Sequence, residues 1–204
     1  MLDAPLRPLL DRILNPLGSR LADLGISANA ISWCGFCLGI AAMLAISQSA
    51  YFTGLGLLLL NRLADGLDGA VARNSGLTDY GGYLDIVLDF IIYSAIPFGF
   101  AFAEPENALA ACFLVFSFVG TGSSFLAYAI IAAKRGEMTR RRGSKSFYFM
   151  GGLTEGTETI MVFALMCLWP DWFSMLALIF GVLCWITTAT RIAMAWRDFA
   201  DSET

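Results

Sequence analysis

Four aspartates carry the first chemical signal: Asp65 and Asp68, then Asp85 and Asp89, all set in stretches otherwise rich in Leu, Ile, Val and Gly. The first two are i,i+3 and the second two i,i+4, so on helices each pair shares one face. A charged side chain in the middle of a membrane helix costs roughly 2.5–3.5 kcal/mol unless water, a partner or an ion meets it. The seven-residue turn Asn74–Tyr80 brings the second helix back antiparallel to the first, which lets the two pairs face one another. Carboxylates converging in a low dielectric repel, and bound cations relieve that repulsion. The chain has no His, and its cysteines lie elsewhere, so the donors are all oxygen. Such a set favours a hard cation, Mg²⁺ or Mn²⁺, and a paired site has room for two ions. Gly66, Gly69, Gly81 and Gly82 remove side chains at the same level, letting a bulky ligand reach the backbone. Arg73 then supplies a planar fork for a phosphate.

The series Asp65, Asp68, Gly69, Ala72, Arg73, then Gly81, Asp85, Asp89 resembles the signature of the CDP-alcohol phosphatidyltransferase family, D-x-x-D-G-x-x-A-R followed by G-x-x-x-D-x-x-x-D. The one departure is a seven-residue gap between Arg73 and Gly81 where the family usually has eight, a loop shortening that leaves the helix-borne spacings intact. The resemblance implies transfer of a phosphatidyl group from CDP-diacylglycerol to an alcohol with release of CMP. By the family pattern, Asp65, Asp68 and Asp85 ligate metal, and Asp89 both ligates and acts as general base on the acceptor hydroxyl. Asp65, Gly69, Ala72 and Arg73 would hold the nucleotide diphosphate. The resemblance also implies a homodimer. Lacking His, the chain has no Ser–His or Cys–His pair for a covalent route. A non-enzyme alternative, a cation or proton pathway lined by the same carboxylates, accounts for the aspartates but not for Gly69, Ala72 and Arg73 beside them.

The elements that must position these residues follow from composition. Of 204 residues 57% are hydrophobic and only 15% charged, too few polar groups to cover a cytosolic globule. The mean hydropathy of +0.67 is spread along the chain. Six apolar runs, about 29–48, 51–72, 81–103, 108–132, 152–169 and 173–195, predict an all-α polytopic membrane protein of one domain spanning 1–204. Ahead of the bundle at 29–195, residues 1–26 form an amphipathic segment, broken near Pro16-Leu17-Gly18, that lies on the membrane or packs on its own protein. Its prolines and charges do not fit a cleavable signal peptide, so the first span directs insertion.

If the runs alternate in direction, Arg7, Arg12, Arg20, Arg73, the cluster from Lys134 to Lys145, and Arg197 fall on one side, while the loops on the other side carry no Lys or Arg. The positive-inside rule then puts both termini and the acidic site in the cytoplasm of a bacterial inner membrane. A net charge of −4 offers no general basic surface for nucleic acid. The five cysteines lie in apolar stretches, where Cys behaves as a small hydrophobe.

A second polar group surrounds the fifth run: Lys145, then Thr154-Glu155-Gly156-Thr157-Glu158, with Arg191 in the sixth run able to pair with one of the glutamates. Lys145, Glu155, Glu158 and Arg191 are the candidate acceptor residues. Carboxylates repel phosphate and accept from hydroxyls, and Thr154-Glu155 resembles the fifth-helix Glu of relatives that use free choline, ethanolamine or inositol. The expected acceptor is therefore an unphosphorylated polyol or amino alcohol. The alternative is a phosphorylated one, such as glycerol 3-phosphate or inositol phosphate, held by the basic loop.

Overall fold

In this computed structural model the described residues are 3–135 and 154–200, with side chains from Asp11 onward in the first helix. They form α1 (Asp3–Asp23), α2 (Ala28–Ser47), α3 (Tyr51–Ser75), α4 (Asp79–Ala103), α5 (Ala108–Lys134), α6 (Gly156–Leu168) and α7 (Phe173–Ala200). Short 3-10 turns, Pro105–Asn107 and Pro170–Trp172, precede α5 and α7. No strand occurs among the described residues. Each helix agrees with one of the segments read from the sequence to within a few residues.

Local chemistry sets the helix starts. Ser27 caps α2 by accepting from the Ala30 amide at 3.3 Å, and Thr78 caps α4 by accepting from the Gly81 amide at 3.0 Å. Because Thr78 is the cap, Asp79 and Tyr80 are already helical, and the turn before α4 shrinks to residues 76–78. Gly76 sits there at φ +108°, a conformation that a side chain would strain.

Among the described residues, four helices are long and apolar enough to cross a membrane: α2, α4, α5 with its leading turn, and α7 with its leading turn. α3 carries Arg62, Asp65 and Asp68 in its middle, and α6 has only 13 residues. Aromatic and branched side chains fill the bundle at the end away from the aspartates. Phe100 stacks on Phe173 at 4.5 Å between centroids, and Ile46, Leu58, Ile96, Leu114, Phe163 and Met166 are fully enclosed around them. Glycines allow the close approaches that helix packing in a bilayer relies on. A Cβ at Gly39 would stand 2.5 Å from Ile92 Cδ1, and one at Gly181 2.6 Å from Phe113 Cε1.

α1 differs from the expectation at one point. It runs unbroken through Pro16, which forfeits a backbone hydrogen bond without ending the helix. Gly18, expected to help break it, instead lets it pack: a Cβ there would stand 2.7 Å from the carbonyl carbon of Ala70 on α3. α1 therefore docks against α3, while Ile13 and Leu17 remain 61% and 46% exposed along its other side.

Candidate active site

The four aspartates come together as the sequence predicts, though not by direct packing of α3 on α4. The backbones of those two helices do not pack closely on one another, and α2 packs against both. Its small residues make this possible: a Cβ at Gly35 would already stand 3.0 Å from Ala64 Cβ. The result is a cleft with Ser32, Gly35 and Phe36 of α2 as its floor. Asn61, Arg62, Asp65 and Asp68 line one wall, and Asp85, Leu88, Asp89 and Ile92 the other.

The carboxylates are not equivalent. Asp68 is buried and accepts from the Ser32 hydroxyl at 2.5 Å. Asp89 accepts from Arg62 Nη2 at 2.6 Å on one oxygen and from the Tyr93 hydroxyl at 3.3 Å on the other. Asp65 pairs with Arg62 Nη1 at 3.6 Å. Asp85 lines the cleft from an exposed position on α4. Behind them Asn61, buried, accepts from Arg62 Nε at 2.9 Å and donates to the Gly35 carbonyl at 2.9 Å.

The donor set fits a hard divalent ion, since four carboxylates, a hydroxyl and an amide oxygen converge on one cleft. Among the described residues no three acidic side chains are gathered at ligating distance of a single point, and Arg62 engages two of the four.

The remaining motif residues lie on the last turns of α3. Arg73 is exposed and held by α1, its Nη2 donating to Asp11 Oδ1 and Asn15 Oδ1 at 2.9 Å each. A Cβ at Gly69 would meet Arg73 Nη1 at 3.4 Å, an ordinary contact, so packing alone does not require glycine there. Ala72 accepts the Gly76 amide that closes the helix. Gly66 does not open space for a ligand as expected: Leu14 of α1 occupies the position, 2.7 Å from where a Cβ would sit.

Of the candidate acceptor residues, Glu155, Glu158 and Arg191 lie outside this cleft. Glu155 and Glu158 form a reciprocal capping box at the start of α6, in which Glu158 Oε2 accepts from the Glu155 amide at 3.2 Å. Arg191, buried on α7, donates from Nη1 to the Thr121 carbonyl at 2.8 Å and stands 5.4 Å over the Phe125 ring. Its Nε is buried with no hydrogen-bond partner. Lys145 lies outside the described residues.

Sequence reasoning left Ser32, Asn61 and Tyr93 unassigned and gave Arg62 no role. The signal for Arg62 was present, because an arginine in an apolar run needs a partner and Asp65 stands three residues on. Ser32 had none, since it meets Asp68 only through helix packing across 36 residues.

Residues 26–195 match the family described as CDP-alcohol phosphatidyltransferase. The chain is 51% identical over 193 residues to "Inner membrane protein YnjF" of Escherichia coli, covering 94% of each protein. It is 34% identical to an archaetidylinositol phosphate synthase of Pyrococcus horikoshii, over 47% of this chain and 52% of that one. Among solved structures, the phosphatidylinositol phosphate synthase PgsA1 of Mycobacterium tuberculosis with CDP-DAG bound matches with a TM-score of 0.65 and 25% identity, covering 91% of this chain and 94% of that one.

Proposed function

The chain belongs to the CDP-alcohol phosphatidyltransferase family, and from that membership we propose that it transfers the phosphatidyl group of CDP-diacylglycerol to a phosphorylated polyol and releases CMP. The observation that carries the reaction is the single cleft lined by Asp65, Asp68, Asp85 and Asp89, with Arg73 near the same end of α3. The bound donor in a structure of the same fold supports CDP-diacylglycerol.

The family depends on divalent metal. Here Asp65, Asp68, Asp85 and Asp89 would hold two ions, Mg²⁺ or Mn²⁺, which when bound neutralise the diphosphate and stabilise charge at the reacting phosphorus. Arg73 offers its remaining N–H groups to the donor's phosphates. Asp89 takes the proton from the acceptor hydroxyl as its oxygen bonds to the phosphatidyl phosphorus, and the bond to the CMP oxygen breaks. Asp68, fixed by Ser32, keeps the wall of the cleft rigid.

The expectation of a free alcohol rested on Glu155 and Glu158 facing the acceptor. Both carboxylates also take part in a capping box at the start of α6. Two observations favour a phosphate-bearing acceptor instead. Arg191 is a buried cation near the cytoplasmic half of α7, and two relatives are named as synthases of inositol phosphate lipids. Lys145 and the basic loop complete this reading.

The same reading makes the chain a six-span protein of the bacterial inner membrane, with both termini and the cleft on the cytoplasmic side. The basic-residue distribution and the inner-membrane relative support it. In it α3 and α6 cross with the four more apolar helices, and α1 lies along the surface with Ile13 and Leu17 in the lipid. Family membership supports a homodimer. The test is a screen of purified protein with CDP-diacylglycerol and Mg²⁺ against inositol, glycerol, serine, choline and ethanolamine beside inositol phosphate and glycerol 3-phosphate, following CMP and the mass of the lipid. Transfer confined to the free alcohols sinks the acceptor assignment, and no CMP from any of them sinks the reaction.

A further inference from the structure

We propose that Arg62 is a positioning residue that stands in for the divalent ion. It neutralises the cleft when no ion is bound and withdraws from Asp89 and Asp65 when one binds.

The cleft gathers four carboxylates, and Arg62 is the one cation among its described lining residues. Its guanidinium spans from α3 to α4, Nη2 on Asp89 Oδ1 at 2.6 Å and Nη1 3.6 Å from Asp65 Oδ2, so it engages one carboxylate of each aspartate pair. Those are acceptor oxygens that a divalent ion would also need. An arginine does not lose its proton at any accessible pH, so an incoming cation must displace the head group. The surroundings allow that movement while keeping the residue close. Nε is held by Asn61, itself fixed to the Gly35 carbonyl, and the guanidinium lies 5.6 Å from the centre of the Tyr93 ring, an apolar face that suits a planar cation away from its ion pair. Tyr93 also donates to Asp89, and so keeps that carboxylate oriented when Arg62 leaves. Arg62 thus weakens ion binding and offsets the repulsion among the carboxylates whenever no ion is bound.

This inference rests on the cleft taking a divalent ion, and the experiment separates the two. Mn²⁺ binding to purified protein is measured by electron paramagnetic resonance without CDP-diacylglycerol, together with thermal unfolding at zero and saturating Mn²⁺, for wild type, Arg62→Gln and Arg62→Lys. Arg62→Gln is expected to bind Mn²⁺ at least about tenfold tighter, because a unit positive charge within a few ångströms has been removed. It should also unfold below wild type without the ion, and that gap should close at saturation. Arg62→Lys, which keeps the charge but loses the two-carboxylate fork, should fall between. Equal or weaker binding by Arg62→Gln, or an unfolding deficit that Mn²⁺ leaves unchanged, overturns the proposal and makes Arg62 a structural tie. Failure of wild type itself to bind Mn²⁺ overturns the metal reading and this proposal together.

Discussion

Arg73 and Asp11, 62 positions apart, form an ion pair of 2.9 Å that ties the first helix to the arginine of the family motif. Asn15 accepts from the same nitrogen, so one corner of the guanidinium is fixed and the rest of the fork faces outward. With both partners about one-third exposed, the pair contributes no more than about 1 kcal/mol. Its effect is therefore orientation of Arg73 rather than stability. Asp11→Ala is expected to raise the KM for CDP-diacylglycerol by up to about fivefold with kcat nearly unchanged. Steady-state kinetics in mixed micelles read both constants, and a fall in kcat alone would contradict the assignment.

The packing beneath that pair can be tested separately. In Gly18→Ala the new methyl meets the Ala70 backbone, which cannot rotate aside as a side chain does. Overpacking of this kind costs about 1–3 kcal/mol. α1 should lift from α3, become sensitive to limited proteolysis, and show the donor KM of Asp11→Ala. Unchanged proteolysis would mean that α1 docks elsewhere.

Asp65→Asn, Asp68→Asn and Asp85→Asn should each lower CMP release by at least about 10²-fold, the effect of losing several kcal/mol of transition-state charge stabilisation. Asp68→Asn should do so although its hydrogen bond to Ser32 can persist. CMP release and size-exclusion behaviour, measured on the same preparations, separate lost chemistry from lost folding. Near-normal turnover in any one of the three is incompatible with the two-ion reading.

Asp89→Asn should act at a different step. Turnover falls by at least about 10²-fold, as for loss of a general base, while CDP-diacylglycerol still binds with nearly wild-type affinity. Loss of donor binding as severe as in Asp68→Asn would assign Asp89 to the metal shell alone.

Arg191→Ala should raise the KM for a phosphorylated acceptor by about 10- to 150-fold, the equivalent of a charge-assisted hydrogen bond worth about 1.5–3 kcal/mol. Glu155→Gln, a change at a helix cap, should leave that constant near wild type. The reverse pattern, with Glu155→Gln impaired and Arg191→Ala indifferent, would restore the free-alcohol acceptor.

By itself the sequence determined the helices, the family and the four aspartates, because each is written in local terms. Apolar runs of this length must form helices, and carboxylates at i,i+3 and i,i+4 must share a face whatever surrounds them. The polar run beginning at Thr154 shows where local reading stops. The spacing that puts Glu155 and Glu158 together as candidate ligands is also that of a capping box, and only the structure shows that box formed. Only the tertiary structure decided which helix floors the cleft, since α2 carries no charge that could announce the role of Ser32 or the closeness of Gly35 to Ala64. It also decided that Arg62 bridges α3 and α4 and that α1 holds Arg73. Those contacts depend on helix rotation and depth, which are set by the sum of many close packings across the bundle and not by the residues nearest in the chain.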